Sequence, residues 1–279
     1  NSRIEYGTST AYGTMTALQT ALVTAHSQAL SGLSAGTLYH FRVRSRDAAG
    51  NLAVSADSTI TTASEMNIGP QPITTLDISP AIQGLYPAAL SSFEATLETL
   101  PEGGKMKITA GTLADRQGIE VPGGVETELN SRNSESFWLH IAQDRVEIIG
   151  ATELGALHGL STLERMAINN QGKVIAQSTV DGPQLSTRAL HIAIMIKADS
   201  DKATTSTFVS TNDVMGAIHQ ARLHNYNTLI LMLTDRVVLE TYGGVNSNQN
   251  WSKEQFLEVI AYAQENGLEF IPEIKLLNK

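Results

Sequence analysis

The hydrophobic pattern changes twice along the chain. Residues 1–63 alternate apolar and polar positions in four short runs, IEYGTS, HSQAL, TLYHFRVRSRD and NLAVSADSTITT, with glycines between them. Alternation with a period of two over short segments is typical of antiparallel strands with one buried face. The pattern therefore predicts an all-β sandwich over this part of the chain.

Residues 64–80 interrupt the alternation. The segment SEMNIGPQPITTLDISP contains three prolines and shows neither the strand period nor the helix period. Proline-rich segments without apolar periodicity usually connect folded parts. We therefore predict a linker over 64–80.

A mixed pattern follows over 81–180. Leu90, Phe93 and Leu97 recur on one face of a helix predicted over 88–100, and a strand is predicted over 105–110. The segment FWLHIAQDRVEIIGAT reads as two alternating strands around a turn at 143–144, and ELGALHGLSTLERM carries the leucine stripe of a helix packed on a sheet. These elements predict an α+β layer.

The pattern changes again over 181–279. Three apolar runs, ALHIAIMI, TLILML and LEFIPEI, alternate with the helical segments STNDVMGAIHQARLHN and SKEQFLEVIAYAQEN. Ser210 with Asp213 and Ser252 with Gln255 are placed as capping pairs, and Gly267 is placed to end the second helix. Apolar strands separated by helices predict parallel βαβ units, as in a doubly wound sheet or an eight-stranded barrel. No glycine-rich phosphate loop follows the first strand, which favours the barrel.

Composition narrows the classes of partner. Of the 279 residues 42% are hydrophobic, which is enough for a packed core, and a formal charge of -9 disfavours nucleic acid. The apolar runs are far shorter than the roughly 20 residues of a membrane span, so we expect no membrane insertion. The first residues, NSRIEYGTST, do not have the pattern of a signal peptide. The absence of cysteine excludes disulfides and thiolate zinc sites, and we expect no metal or cofactor.

One resemblance concerns the first 63 residues. Leu33, Tyr39, Phe41 and Val43, followed by the turn DAAGN, resemble the tyrosine-corner segment of a fibronectin type III domain. The resemblance implies that the Tyr39 hydroxyl bonds back to the preceding corner. Such a module has about 90 to 100 residues, so only its later strands fit into 1–63. Any other β-sandwich remains the alternative.

A second resemblance runs from the middle of the chain to its end. The strand ending in IIGAT, followed by a helix with Gly155, Gly159 and Thr162-Leu163, resembles the domain that precedes the barrel in glycoside hydrolase family 20, the β-N-acetylhexosaminidases. Glycine at these helix positions would let the helix approach the sheet closely. Three further motifs follow the family's order: Asp181, Gly182, Pro183 and Arg188; Leu233, Thr234 and Asp235; and the segment 262–274.

The resemblances together imply a multidomain fold. Its parts are a partial fibronectin III-like sandwich over 1–63, the linker over 64–80, a family 20 α+β non-catalytic domain over 81–180, and the first three βα units of a truncated (β/α)8 TIM barrel over 181–279. The family hydrolyses terminal N-acetylhexosamines with assistance from the substrate's own acetamido group. Its catalytic Asp-Glu pair follows the fourth barrel strand, so we expect that pair to lie beyond residue 279 and assign no catalytic residue here.

The resemblance also implies a carbohydrate-binding site. Barrel enzymes act at the carboxyl ends of their strands, so we predict substrate contacts from Arg188, Asp235 and Glu273. His158, by contrast, has no second metal-type residue at its helical neighbours and is predicted to be a packing or boundary residue.

Several positions depart from the family pattern, and Ile230 and Met232 replace family histidines before L-T-D. Ala193 and Ile196 replace an Asp and an Arg along the first strand, and Lys275 and Lys279 stand where an Asp and a His follow the third. These changes leave open a divergent hydrolase with an altered substrate. They also leave open a non-catalytic carbohydrate-binding or adhesion fragment. An unrelated hydrolytic activity ranks last, because the residues show no Ser-His-Asp signature.

Two expectations concern the whole protein. An incomplete sandwich and three strands of a barrel would expose sheet edges and apolar surface, so we expect self-association. The family resemblance and the fibronectin-like segment imply an extracellular or cell-surface location for the parent protein. The exact sugar and linkage stay open.

Overall fold

The computed structural model of the chain describes residues 1–69, 74–101, 103, 106–193, 209–233 and 251–274. By its contacts the chain divides into two compact units, Asn1–Met66 and Asn67–Lys279. The predicted domain boundary at 180/181 lies inside the second unit, and the predicted domain limits stay predictions.

The first unit is one antiparallel sheet. Strands β1, β2, β3 and β4 are ordered β2-β1-β3-β4, and β5 also pairs with β3. The strands are β1 (Ser2–Gly7), β2 (Thr14–Met15), β3 (Leu38–Arg46), β4 (Leu52–Val54) and β5 (Ser58–Thr61). The all-β prediction is confirmed for this unit, but the described strands form a single layer and not the two layers of a sandwich.

The tyrosine at the start of β3 makes the predicted contact. Tyr39 is buried, and its hydroxyl oxygen accepts a hydrogen bond from the Ser34 backbone N–H at 3.0 Å. A phenylalanine could not close this corner, because it has no hydroxyl to accept the bond.

The predicted strand HSQAL is wrong. Residues 26–30 belong to no strand, because side chains take the place of a backbone ladder there. The His26 ring nitrogen Nδ1 bonds Ser2 Oγ at 2.9 Å, and Gln19 Nε2 donates to the Ser27 carbonyl at 2.7 Å. Alternation in so short a segment therefore did not produce pairing.

The second unit contains the six helices and most of the strands that the structure describes. A short strand, β6 (Glu65–Asn67), spans the boundary between the units. The further strands are β7 (Thr74–Ile78), β8 (Met106–Thr112), β9 (Phe137–Ile141), β10 (Arg145–Gly150), β11 (Lys173–Ile175), β12 (Gln177–Asp181), β13 (Ala189–Ala193), β14 (Thr228–Leu233) and β15 (Glu269–Ile274). The helices are α1 (Pro80–Leu85), α2 (Pro87–Thr99), α3 (Gly123–Ser131), α4 (Glu153–Asn169), α5 (Thr211–Leu223) and α6 (Lys253–Glu265).

A mixed five-stranded sheet forms the first half of this unit. Its order is β12-β9-β10-β8-β7, with β10, β8 and β7 parallel and β9 antiparallel to β10. The predicted hairpin, helix and strand of this region are confirmed. Part of the segment predicted as a linker is instead the edge strand β7, and α1 begins at the last residue of that segment.

Helix α4 packs directly on the five-stranded sheet. A Cβ added to Gly155 would collide with the Ser136 carbonyl oxygen, and one added to Gly159 would lie 2.5 Å from Ile148 Cγ2. Both glycines are therefore required for the close approach, as the sequence predicted.

A three-stranded parallel sheet, ordered β13-β14-β15, forms the second half of the unit. Helices α5 and α6 each begin with the predicted capping box, at Ser210 with Asp213 and at Ser252 with Gln255. Gly267 follows α6 with a φ of +79°, in the left-handed region that ends helices. The parallel βαβ prediction is confirmed, while closure into a barrel stays a prediction.

A buried polar cluster fixes α5 against the first half of the unit. Arg222 in α5 donates to Glu164 Oε2 in α4 at 2.7 Å, and both side chains are almost fully buried. Arg222 also donates to Ser161 Oγ at 3.1 Å, while the Thr96 hydroxyl of α2 donates to the other Glu164 oxygen at 2.7 Å. Three helices therefore share one set of hydrogen bonds, which ties the parallel sheet to the α+β layer.

In the part of the chain that the structure describes, none of the helices combines the length and apolarity that crossing a membrane requires.

Candidate functional site

Helices α5 and α6 cover one face of the parallel sheet. Leu229 and Leu231 are fully buried against α5 and α6, and Leu190, Ile192 and Phe270 pack on the same cluster. Because successive side chains of a strand point to opposite faces, the alternate residues lie on the other side. We call this side the open face; its residues are Ala189, His191, Ala193, Thr228, Ile230, Met232, Glu269, Ile271 and Glu273.

A contact between an imidazole and a carboxylate crosses this face. His191 Nε2 lies 2.6 Å from Glu273 Oε2, and the two side chains are 50% and 42% exposed. His191 is in register with Ile230 on β14, whereas Glu273 is in register with Met232 on the same strand. The two side chains therefore lean toward each other over the central strand, His191 from the middle of β13 and Glu273 from near the carboxyl end of β15.

Arg188 lies at the opposite end of the sheet. It precedes β13, and its guanidinium is held by Glu135 through Nη2, by the Asn225 carbonyl through Nε at 2.6 Å and by the Leu185 carbonyl through Nη1 at 2.6 Å. These contacts use donors on all three guanidinium nitrogens. Arg188 thus bonds to the loops at the amino ends of β13 and β14 and to the loop before β9.

Glu135 is the centre of this second polar cluster. Besides Arg188, its carboxylate accepts a hydrogen bond from Asn227 Nδ2 at 2.8 Å, and His158 Nδ1 lies 3.5 Å away. Burial lowers the pKa of His158 to about 4, against the raising effect of the Glu135 charge. His158 is only 2% exposed, in agreement with the packing role predicted for it.

The structure does not bring Arg188 and Glu273 together, the two predicted site residues that it describes. Ala189, next to Arg188, is in register with Thr228 and through it with Glu269, four residues before Glu273. At roughly 3.3 Å per residue, Arg188 and Glu273 are about 16 Å apart along the strands. A sugar contact at the carboxyl ends of the strands therefore fits Glu273 and not the observed contacts of Arg188, whose substrate role stays an untested prediction.

Several predicted positions lie outside the described residues, namely Asp235, Ile196, Lys275 and Lys279. Ala193 is described, and it lies on the open face in register with Met232. No carboxylate therefore stands at the position where the family pattern has an aspartate.

Sequence reasoning missed His191. The run ALHIAIMI reads as continuously apolar, and the single polar residue in its first half was not assigned to a face. The signal was available in the parity of the strand, because His191 alternates with Leu190 and Ile192 and so must point away from the helices.

Within the described ranges, no group of three or more His, Asp or Glu side chains is arranged to hold a metal ion. The polar groups of the open face are the pair His191 and Glu273, together with Thr228 and Glu269 nearer the amino ends of the strands.

No family model matches the chain. Solved structures of glycoside hydrolase family 20 do match its fold. An exo-β-N-acetylglucosaminidase from Vibrio harveyi in complex with N-acetylglucosamine is 12% identical with a TM-score of 0.52, over 85% of this chain and 43% of that one. A β-N-acetylhexosaminidase from Streptomyces coelicolor A3(2) is 19% identical with a TM-score of 0.50, and the match covers 75% of this chain and 44% of that one. A chitobiase from Flavobacterium johnsoniae is 16% identical with a TM-score of 0.52, and the match covers 77% of this chain and 33% of that one.

The chain thus spans less than half the length of each of these proteins. At identities of 12 to 19% the likeness establishes the fold and leaves activity and substrate to be tested. The resemblance predicted from the motifs is confirmed at this level: the chain has the fold of part of a glycoside hydrolase family 20 β-N-acetylhexosaminidase.

Proposed function

We propose that the chain is part of a glycoside hydrolase similar to family 20 β-N-acetylhexosaminidases, and that its ligand is a terminal N-acetylhexosamine. The observation that carries the proposal is the fold likeness, which extends over 75 to 85% of the chain. The open face supports it, since Glu273 places a carboxylate near the carboxyl end of β15, where barrel enzymes hold their substrates, and His191 contacts that carboxylate from the middle of β13.

The proposed architecture follows from the same likeness. The parallel sheet is taken as the opening of a TIM barrel, and the five-stranded sheet with α4 as the non-catalytic domain. The Tyr39 corner supports a partial fibronectin type III module in the first unit. An extracellular or cell-surface location of the whole protein is part of the proposal.

Within the site, we assign the sugar contact on the described strands to Glu273, and we keep Asp235 as the predicted contact at the end of the second strand. Arg188 is better suited to a positioning role, because its guanidinium already bonds Glu135 and two backbone carbonyls. One donor on each guanidinium nitrogen is in use, so two of the five N–H groups remain, and the three existing contacts fix the orientation of the guanidinium.

Cleavage requires a general acid that these residues do not supply in the family's form. The chain contains no Asp-Glu dipeptide anywhere in its 279 residues. We therefore expect the 279 residues to bind the sugar without hydrolysing it. An Asp orienting the acetamido group and a Glu donating the proton are the groups that the reaction needs.

The test combines binding with two rate assays. Calorimetric titration with N-acetylglucosamine should give a saturable signal, whereas glucose, which lacks the acetamido group, should bind more weakly. In parallel, an aryl N-acetylglucosaminide and an aryl ester should both be released at the background rate. Absence of sugar binding, or cleavage of the ester alone, would contradict the proposal.

A second candidate is a carbohydrate-binding or adhesion protein that has lost catalysis. Ala193 favours it, because the open face has a methyl group where the family pattern has an aspartate. Joining these 279 residues to the rest of a family 20 barrel that carries the Asp-Glu pair distinguishes the two. Cleavage of the aryl sugar by that chimera would support the hydrolase, and sugar binding without cleavage would support the binding protein.

A further inference from the structure

The pair formed by His191 and Glu273 assigns a role to a residue that the family motifs do not include. We infer that His191, held in place by Glu273, contacts the sugar directly, with its Nδ1 atom accepting a hydrogen bond from a ligand hydroxyl. This inference rests on the proposed function and adds a specific polar group to the site.

The position of the pair is the first argument. Both side chains lie on the open face, and the covered face is filled by Leu229, Leu231 and their neighbours. Glu273 is the penultimate residue of β15, so its carboxylate lies toward the carboxyl ends of the parallel strands, and it contacts His191 in the middle of β13.

The hydrogen-bonding chemistry is the second argument. His191 Nε2 lies 2.6 Å from the Glu273 carboxylate, which favours the tautomer with its proton on Nε2. In a neutral imidazole the other nitrogen is then an acceptor. The His191 side chain is 50% exposed, so a ligand can reach the imidazole ring.

The surroundings are the third argument. Ile230 and Met232 lie between His191 and Glu273 on the central strand, and Ile271 lies beside them with 41% of its surface exposed. An apolar floor with two fixed polar groups matches a sugar ring, whose C–H faces are apolar and whose edges carry hydroxyls. A carboxylate oxygen and an imidazole nitrogen are both acceptors, so they select a ligand that donates hydrogen bonds.

The experiment follows the imidazole ¹⁵N signals of the full chain during titration with N-acetylglucosamine near neutral pH. We expect the signals of His191 to shift saturably while those of the exposed His224 stay in place. His224 follows α5 and precedes the amino end of β14, so it lies away from the pair and serves as the internal control.

Three variants complete the test. His191→Ala should weaken binding of N-acetylglucosamine by about tenfold, the range expected for one hydrogen bond to a polar ligand. His224→Ala should leave the affinity unchanged. Glu273→Gln should alter the balance of Nδ1 and Nε2 protonation in the His191 spectrum without unfolding the chain, because both side chains are half exposed.

The outcomes separate this inference from the proposed function. If the sugar binds while the His191 signals do not move and His191→Ala binds equally well, the inference is wrong and the proposed function stands. If the unsubstituted chain binds no N-acetylglucosamine, both are wrong. Shifted His191 signals together with weaker binding by His191→Ala would support the role assigned here.

Discussion

At the residue scale, the strongest constraint is the buried ion pair of Arg222 and Glu164. Their side chains are 1% and 0% exposed, so neither charged group is in contact with bulk solvent. The pair is stabilising only as long as both charges are present with their hydrogen bonds, because a single buried charge is poorly solvated.

Replacing one partner should therefore destabilise the second unit strongly. Arg222→Met is expected to lower the free energy of unfolding by about 3 to 5 kcal/mol, measured by denaturant titration. Adding Glu164→Leu to this variant should restore much of the loss, since no unpaired charge remains. The matched control is Arg132→Met, which breaks an exposed pair with Glu128 and should change stability by at most about 1 kcal/mol. Equal effects of Arg222→Met and Arg132→Met would contradict the assignment.

His158 provides a pH test at the same scale. Burial lowers its pKa in the folded chain to about 4 from the ordinary value of 6.5. Between these values the unfolded chain binds a proton that the folded chain does not, so stability is full above pH 6.5 and falls toward pH 4. His158→Gln should flatten this part of the stability curve, whereas His224→Gln, at an exposed histidine, should leave it as it is. If the stability curve of His158→Gln is the same as that of the unsubstituted chain, a group other than His158 causes the loss of stability at acidic pH.

At the element scale, the contact of α4 with its sheet depends on two glycines. Gly155→Ala should destabilise the chain by about 1 to 3 kcal/mol, because the new methyl group collides with the Ser136 carbonyl. Gly216, in the middle of α5, has no atom within 4 Å of an added Cβ. Gly216→Ala should therefore stabilise the chain by about 0.5 to 1 kcal/mol through its higher helix propensity. Thermal unfolding of the two variants measures the difference, and effects of the same sign would contradict the packing described.

Elements with strong local signals were predictable from the sequence. The capping box at Ser252 and the stripe of Val259 and Ala263 located α6 to within a residue at each end. The capping box at Ser210 located the start of α5 in the same way. Helix α3 carried no such signal, since it follows Pro122 without a side-chain cap and buries only Leu129 among its residues. Strand β7 was hidden within a proline-rich segment, and its pairing with β8 depends on residues distant in the sequence.

The candidate site was less predictable than the elements for a geometric reason. The family motifs grouped Arg188 and Glu273 as substrate contacts at the carboxyl ends of the parallel strands. The strand register separates the two residues, because Arg188 precedes Ala189, which is aligned with Glu269 through Thr228. The pairing of His191 with Glu273 depends on two strands that are not neighbours in the sheet, which no local pattern can indicate.

At the scale of the whole molecule, the first unit exposes an apolar sheet face. Ile4 pairs with Val43, and Tyr39 pairs with Ile60, so these side chains share one face of the sheet. Val43 and Ile60 are 37% and 52% exposed. Exposed apolar surface of this kind favours association, and the prediction of self-association stays open to test.

Light scattering after size exclusion measures that association. We expect species larger than a monomer at micromolar concentration, and we expect Ile60→Lys to reduce them. Thr59→Lys places the same charge on the opposite face of β5 and is the matched control. A monomer at all concentrations, or equal effects of the two lysine variants, would contradict association through this face.

The central claim is that the open face of the parallel sheet binds an N-acetylhexosamine. Mapping of backbone amide shifts in the full chain during titration with N-acetylglucosamine tests it most directly. We predict saturable shifts that concentrate at the carboxyl ends of β13, β14 and β15, around Ala193, Met232 and Glu273. Saturable shifts confined to the unit Asn1–Met66, or no saturable shifts in a folded chain, would contradict it.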